Sequence, residues 1–303
     1  MIGGLEGVLK RKALNEWRLF WLITGPISIA VIVAMMRTDL STGPGVSSMI
    51  QLSVRNAIPW LYLAFAASSV RALFPGPLSL WLLRNRKIFG LCFAAAMAWQ
   101  ALFIIWLVTV HRDYYIEDVY VLRDVIEGLL GYFFLVAMTL TSFKFGRKHI
   151  KPRHWKYLHK IGIYSLWIYA FSVYWWALFY YPNPVLLDYV YYWGGFLAWG
   201  LRAAAWRKKR LQRAEKSDPQ GSVQPALKLT GIVIMTIGLI VVTFGSPWQK
   251  ASEEFTSAYA FSEWLELYLS YWPFEPFIPL FVILLGVSLA TKFRARTRTG
   301  SIG

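Results

Sequence analysis

Cysteine occurs once in the 303 residues, at position 92, and histidine only four times. A single cysteine excludes an intrachain disulfide, a CxxC metal site and a thiolate-held cluster, so redox chemistry would need another centre. Carboxylates are scarce too: 16 Asp and Glu stand against 32 Lys and Arg, for a net charge of +16. With 57% hydrophobic residues, most of the chain is committed to lipid or to helix contacts, and little is left for a soluble catalytic domain.

The charge is also segregated. Of the basic residues, 26 fall in five stretches, 1–18, 77–87, 144–160, 202–228 and 292–303. Twelve of the acidic residues lie in the gaps between them, among them Asp39, Asp113, Glu117, Asp118, Asp124, Glu127, Asp188, Glu253 and Glu254. Cytoplasmic loops of membrane proteins are enriched in Lys and Arg, so the five basic stretches are expected inside and the acidic segments outside. Apolar runs between them predict an all-α integral membrane protein of about eight spans, near 17–36, 56–75, 88–110, 127–143, 160–181, 185–205, 227–245 and 275–291. A β-barrel would show ten-residue alternating segments, and none is visible.

This topology places both termini in the cytoplasm and accounts for the basic loops, which face anionic headgroups; nucleic acid is not an expected partner. The first 16 residues are mixed and polar, so the first apolar run is expected to be a retained helix and not a cleaved signal. Aromatic residues crowd the ends of the predicted spans, including Trp17, Trp21, Trp60, Trp81, Trp175 and Trp176, as an interfacial belt requires. Tyr164, Trp167 and Tyr174 form a separate group, readable either as belt and core or as an aromatic-lined cofactor slot.

Position separates the histidines. His111 sits at an outer span end, and His149 and His154 lie in a basic loop. His159 opens the fifth span in Trp155-Lys156-Tyr157-Leu158-His159-Lys160, where it is either a haem ligand or a hydrogen-bonding partner for the loop.

The run Leu82-Leu83-Arg84-Asn85-Arg86-Lys87-Ile88-Phe89-Gly90-Leu91, followed by Leu140-Thr141-Ser142 and by Trp155 and Leu158-His159-Lys160, resembles the ferric-reductase-like transmembrane family. It is most similar to the MsrQ-type haem-binding membrane subunit. The resemblance covers about half of the chain and implies b-type haem held between the third and fifth spans by histidines about 13 residues apart, close to 20 Å along a helix. Carried over residue by residue, it puts the outer ligand positions on Gln100 and Ser172, neither a usual haem ligand. The outer haem is therefore expected to be lost, with Gln100 and Ser172 free to hydrogen-bond each other across the vacated space. His159 stays at the inner position opposite Arg86, whose charge would suit a haem propionate or a quinone or simply mark the cytoplasmic face.

Two further polar residues fall near predicted spans. Arg71 is expected to reach the cytoplasmic headgroups, and Asp188 the outer interface. Domain organisation is expected as a family-like core over 1–205, a basic linker over 206–226, and two added spans with an outer segment over 227–303. Gly231, Gly238 and Gly245 recur every seven residues in the first added span and permit close helix packing. In the outer segment 251–272, Phe255, Tyr259, Leu265 and Trp272 recur at helical spacing between glutamates, and form a candidate partner-contact face.

The expected function is an accessory or scaffold subunit of a larger bacterial membrane complex of the photosynthetic or respiratory kind, in the inner membrane, without catalysis of its own. Its partners would be other membrane subunits and lipid, with no cofactor of its own, or with a quinone, pigment or lipid at the interface. The alternative is an electron-transfer protein carrying one b-haem or a quinone at His159; a transporter is a distant third.

Overall fold

The computed structural model describes residues 2–179, 182–218, 222–245, 250, 254 and 274–294. Among these the chain is helical: α1 (Ile2–Leu9), α2 (Glu16–Arg37), α3 (Gly43–Leu73), α4 (Pro77–Arg84), α5 (Arg86–Val110), α6 (Leu122–Thr141), α7 (Pro152–Phe179), α8 (Leu186–Ser217), α9 (Pro225–Thr243) and α10 (Phe274–Leu289), with short helical turns at Arg112–Tyr114 and Lys144–Arg147. The one exception to the all-α reading is a two-residue antiparallel pairing of Ser222–Val223 with Phe293–Arg294.

Five helices are long and apolar enough to cross a membrane: Glu16–Arg37, Arg86–Val110, Asp124–Thr141, Pro152–Phe179 and Pro225–Thr243. Phe277–Leu289 is apolar but shorter. These match six of the eight expected spans. The other two, 56–75 and 185–205, fall inside α3 and α8, which are long helices with a more polar composition. At about 1.5 Å per residue, α3 and α8 each run to roughly 46–48 Å, more than hydrocarbon thickness requires. The difference in α3 has a physical cause. Val46, Met49, Ser53, Ala57, Leu61 and Phe65 are buried at helical spacing, so one stripe of this helix faces other helices and not lipid. A helix with one face against protein carries the half-buried Arg55 and Asn56 that a wholly lipid-facing one would not.

The described residues fall into two compact units, one of residues 1–173 and 189–198 and the other of 174–188 and 199–303. In the first, α3 packs along α5, and α2 packs on both. Val31, Val46, Met49, Phe103 and Leu107 form one apolar cluster, and Leu19, Ala64, Ile88, Phe89 and Cys92 another. The outward faces carry Trp21, Ile29, Met36, Leu102, Ile105, Leu129 and Phe133, the exposed apolar surface that lipid would cover.

In the second unit, α9 and α10 lie backbone against backbone. A Cβ on Gly286 would sit 2.6 Å from the carbonyl oxygen of Gly231 and 2.6 Å from Met235 Cγ, and one on Gly238 would meet Ile283 Cγ1 at 2.6 Å. The seven-residue glycine spacing thus places Gly231 and Gly238 on the face toward α10, while Gly245 meets the ring of Phe179. Gly90 behaves differently, because a Cβ there meets nothing within 4 Å.

These contacts set an expected contrast. Gly286→Val should cost about 1–3 kcal/mol through overpacking, read as a lowered thermal midpoint in detergent. Gly90→Ala should melt as the native chain does; equal behaviour of the two variants would contradict the close approach of α9 and α10.

Candidate functional site

The chemistry-bearing side chains sit where the start of α5, the end of α6 and the start of α7 meet. Thr141 closes α6, and its main-chain oxygen accepts a hydrogen bond from Trp155 Nε1 at 3.0 Å. Its hydroxyl lies 3.0 Å from His159 Nε2 and 2.7 Å from the oxygen of Ala137. A hydroxyl has one proton. If Thr141 gives it to Ala137, His159 donates from Nε2 and keeps the tautomer that cannot ligate iron through that nitrogen. The indole of Trp155 lies against the His159 ring with centroids 4.5 Å apart, and Arg147 stacks on the other aromatic contact, its guanidinium 4.5 Å from the Trp155 ring centre. Arg86 donates from Nε to the oxygen of Ala64 at 2.9 Å, and Arg86 and Arg147 are the cations whose charge reaches the half-buried His159.

Gln100 and Ser172, where the resemblance led outer haem ligands to be sought, are both buried, but they are not joined to each other. Gln100 accepts a hydrogen bond from Tyr132 Oη at 2.7 Å, which ties α5 to α6. Ser172 donates to the oxygen of Ile168 one turn back in its own helix at 3.1 Å. The expected Gln100–Ser172 pair is thus replaced by a Gln100–Tyr132 pair, because a hydroxyl in a helix reaches its own i−4 carbonyl without needing a partner across the gap.

Of the aromatic group that suggested a cofactor slot, Tyr164 and Trp167 pack on neighbouring rings, and Tyr174 is buried. Trp167 stacks on Phe65 at 5.3 Å and on Phe171 at 5.2 Å, Phe171 stacks on Tyr192 at 5.1 Å, and Tyr164 meets Phe65 edge-on at 5.2 Å. Trp167 Nε1 donates to the oxygen of Gly195 at 3.0 Å, and the Tyr62 ring lies against Gly194 and Gly195. Trp167 is 2% exposed. Offset stacking of this kind adds about 0.5–1.5 kcal/mol per pair beyond area burial. Among the described residues, Gln100 and the Trp167 ring are thus engaged by protein groups.

Sequence reasoning missed the most connected polar cluster. Asn85, 1% exposed, donates to Asn15 Oδ1 at 3.1 Å and to Trp81 O at 3.2 Å, and accepts from the Glu16 backbone N–H at 3.2 Å. Arg84 donates to Asn15 Oδ1 at 2.6 Å and to Leu9 O at 3.0 Å, and Trp81 Nε1 donates to Leu14 O at 2.8 Å. Glu16 takes a left-handed backbone (φ 56°) to present its N–H there. The run Trp81 to Asn85 thus clasps residues 9–16. The only sequence signal was an asparagine set among charges at a helix junction. Elsewhere His111 Nε2 lies 3.2 Å from Leu40 O, Arg71 donates to Gly76 O at 3.2 Å, and Asp188 accepts from the Val185 N–H at 3.0 Å, capping α8. His149 and His154 are exposed. Phe255, Tyr259, Leu265 and Trp272 lie outside the described residues.

The buried asparagine provides a direct measurement. Asn85→Ala strands the Glu16 N–H and removes one of the two donors to Asn15 Oδ1, and should lower stability by about 1–3 kcal/mol in a thermal melt, whereas Ser165→Ala, an exposed hydroxyl bonded only to its own helix, should change it little. No protein-family model, no curated protein and no solved structure matches this chain.

Proposed function

We propose that this chain is an accessory subunit of a larger bacterial membrane assembly, with a ferric-reductase-like core whose haem positions have become helix–helix contacts. The observation that carries the reading is the Tyr132–Gln100 hydrogen bond. At a position where the resemblance requires an iron ligand, the chain places an amide spent on holding α5 to α6. The stacked Phe65, Trp167, Phe171 and Tyr192 rings support it from the other side of the core, where no slot is left. Partner contact is assigned to the added helices and the 251–272 segment, on the ground that Gln100, Thr141 and Trp167 of the core already have their partners within it.

A second reading has one observation in its favour. Arg147 lies over Trp155, whose indole lies against His159, and a cation one ring away from a half-buried imidazole suits an anionic propionate or a quinone oxygen. In that reading a single b-haem or quinone binds at His159 and the chain passes electrons.

Purification in mild detergent, with absorption spectra before and after dithionite, separates the two. The scaffold reading expects no reduced Soret or α-band and co-purification of further membrane subunits, lost on deletion of 222–303. A near-stoichiometric haem spectrum that disappears in His159→Ala overturns it in favour of the electron-transfer reading.

The proposed topology keeps eight crossings, with α3, α8 and α10 spanning in addition to the five apolar helices, and both termini cytoplasmic. In a Cys92→Ser background, Tyr115→Cys should label from outside, and Ile150→Cys and Glu215→Cys only after permeabilisation. Labelling of Ile150→Cys from the same side as Tyr115→Cys overturns it.

A further inference from the structure

The cations near Thr141 outnumber anything available to neutralise them. No Asp or Glu occurs between residues 40 and 112 or between 128 and 187, so α5, the turn at Lys144–Arg147 and the first half of α7 supply only positive charge to their junction. Lys87 lies with its ammonium 5.0 Å over the Phe143 ring, Arg147 4.5 Å over Trp155, and Arg153 5.7 Å over Tyr157. Phe143 is held in turn by stacking on Trp17 at 6.1 Å and on Phe145 at 5.7 Å, and Trp155 by its bond to Thr141 O. Lys87, Lys144 and Arg147 are exposed and have no carboxylate partner among the described residues. Glu16, at the start of α2, makes no ion pair there either.

Rings that hold cations at a helix-end junction pre-organise them, since the cation–π contact fixes a side chain that would otherwise lose rotamer freedom on binding. What such a cluster lacks is an anion. The surface beside it states the rest of the ligand: Leu140, Phe145, Tyr157 and Ile161, next to the same cations along the chain, are exposed. An occupant with a phosphate at one end and hydrocarbon at the other satisfies both.

We propose that Lys87 and Arg147, oriented by Phe143 and Trp155, with the exposed Lys144 next to Phe143 in the chain, form a headgroup site for an anionic phospholipid of the cytoplasmic leaflet, whose acyl chains lie along the exposed apolar residues of α6 and α7. Arg147 supplies a planar donor fork to the phosphate oxygens, and the two lysines supply point charges. The site rests on the proposed topology for its leaflet, and stands or falls independently of the scaffold and haem readings.

The test uses the full chain in neutral detergent, titrated with phosphatidylglycerol or with phosphatidylcholine of the same acyl composition, and bound lipid counted by native mass spectrometry. Phosphatidylglycerol should bind more tightly, and Lys87→Gln with Arg147→Gln should weaken it by roughly fivefold for each cation removed. Lys209→Gln with Lys216→Gln removes equal charge from another exposed basic segment and should leave binding as in the native chain. Should the rim double variant fail to fold, Lys87→Gln and Arg147→Gln are titrated singly, each expected to show its own loss. Inorganic phosphate at millimolar concentration should not displace the lipid. Equal binding of the two lipids, equal loss in rim and control variants, single variants that bind as the native chain does, or displacement by inorganic phosphate would each overturn the proposal, the last by showing a site for the free anion.

Discussion

A polar group inside hydrocarbon must find its partner within the protein, because lipid offers none. The chain meets that constraint with bonds that also join helices. Tyr132 reaches from α6 to Gln100 on α5, Trp155 and His159 of α7 converge on Thr141 at the end of α6, and Trp167 of α7 donates to Gly195 of α8. Each such bond replaces an unsatisfied donor with a fixed distance between two helices. Interhelical bonds in membranes are individually modest, near 0.6–2 kcal/mol, but leaving a group unpaired costs more, and this asymmetry selects the arrangement.

The same constraint explains why the site has the character it does. A histidine that is to bind iron needs a free nitrogen and an open space facing it. His159 instead shares its Nε2 with a threonine hydroxyl and one ring face with Trp155. Gln100 carries an amide already engaged, and the neighbouring aromatic rings fill the volume between α3, α7 and α8 with one another. A cavity is costly in a close-packed interior unless a ligand occupies it, and here the rings of Phe65, Trp167, Phe171 and Tyr192 pack on one another.

Much of the fold was legible in the sequence because the two strongest signals, hydrophobic length and the placement of Lys and Arg, are properties of segments and need no tertiary knowledge. They located α2, α5, α6, α7 and α9 closely. They gave no warning that α3 and α8 would run on well beyond the thickness of the hydrocarbon, since helix continuation past an interface depends on what the neighbouring chain provides. The glycine spacing in α9 was readable because seven residues make two turns, which keeps one face. Partners of individual polar groups were not readable. Gln100 and Ser172 looked like a pair from their alignment positions, yet which hydroxyl reaches which amide depends on the rotation of α6, and Tyr132 gave no sign of its role. Asn85 was passed over for the arginines around it, although burial makes the amide the centre of that cluster.

The clasp between residues 9–16 and Trp81–Asn85 also bears on how the chain reaches the membrane. Its bonds join groups 67 to 75 positions apart, so none can form until two further helices, α3 and α4, have left the ribosome. During that interval α2 must enter the bilayer with its amino-terminal junction unfastened, oriented only by Arg18 and the basic residues before it. In chain order the clasp is therefore a late contact, fastening the entry to α2 only after α3 and α4 have been made.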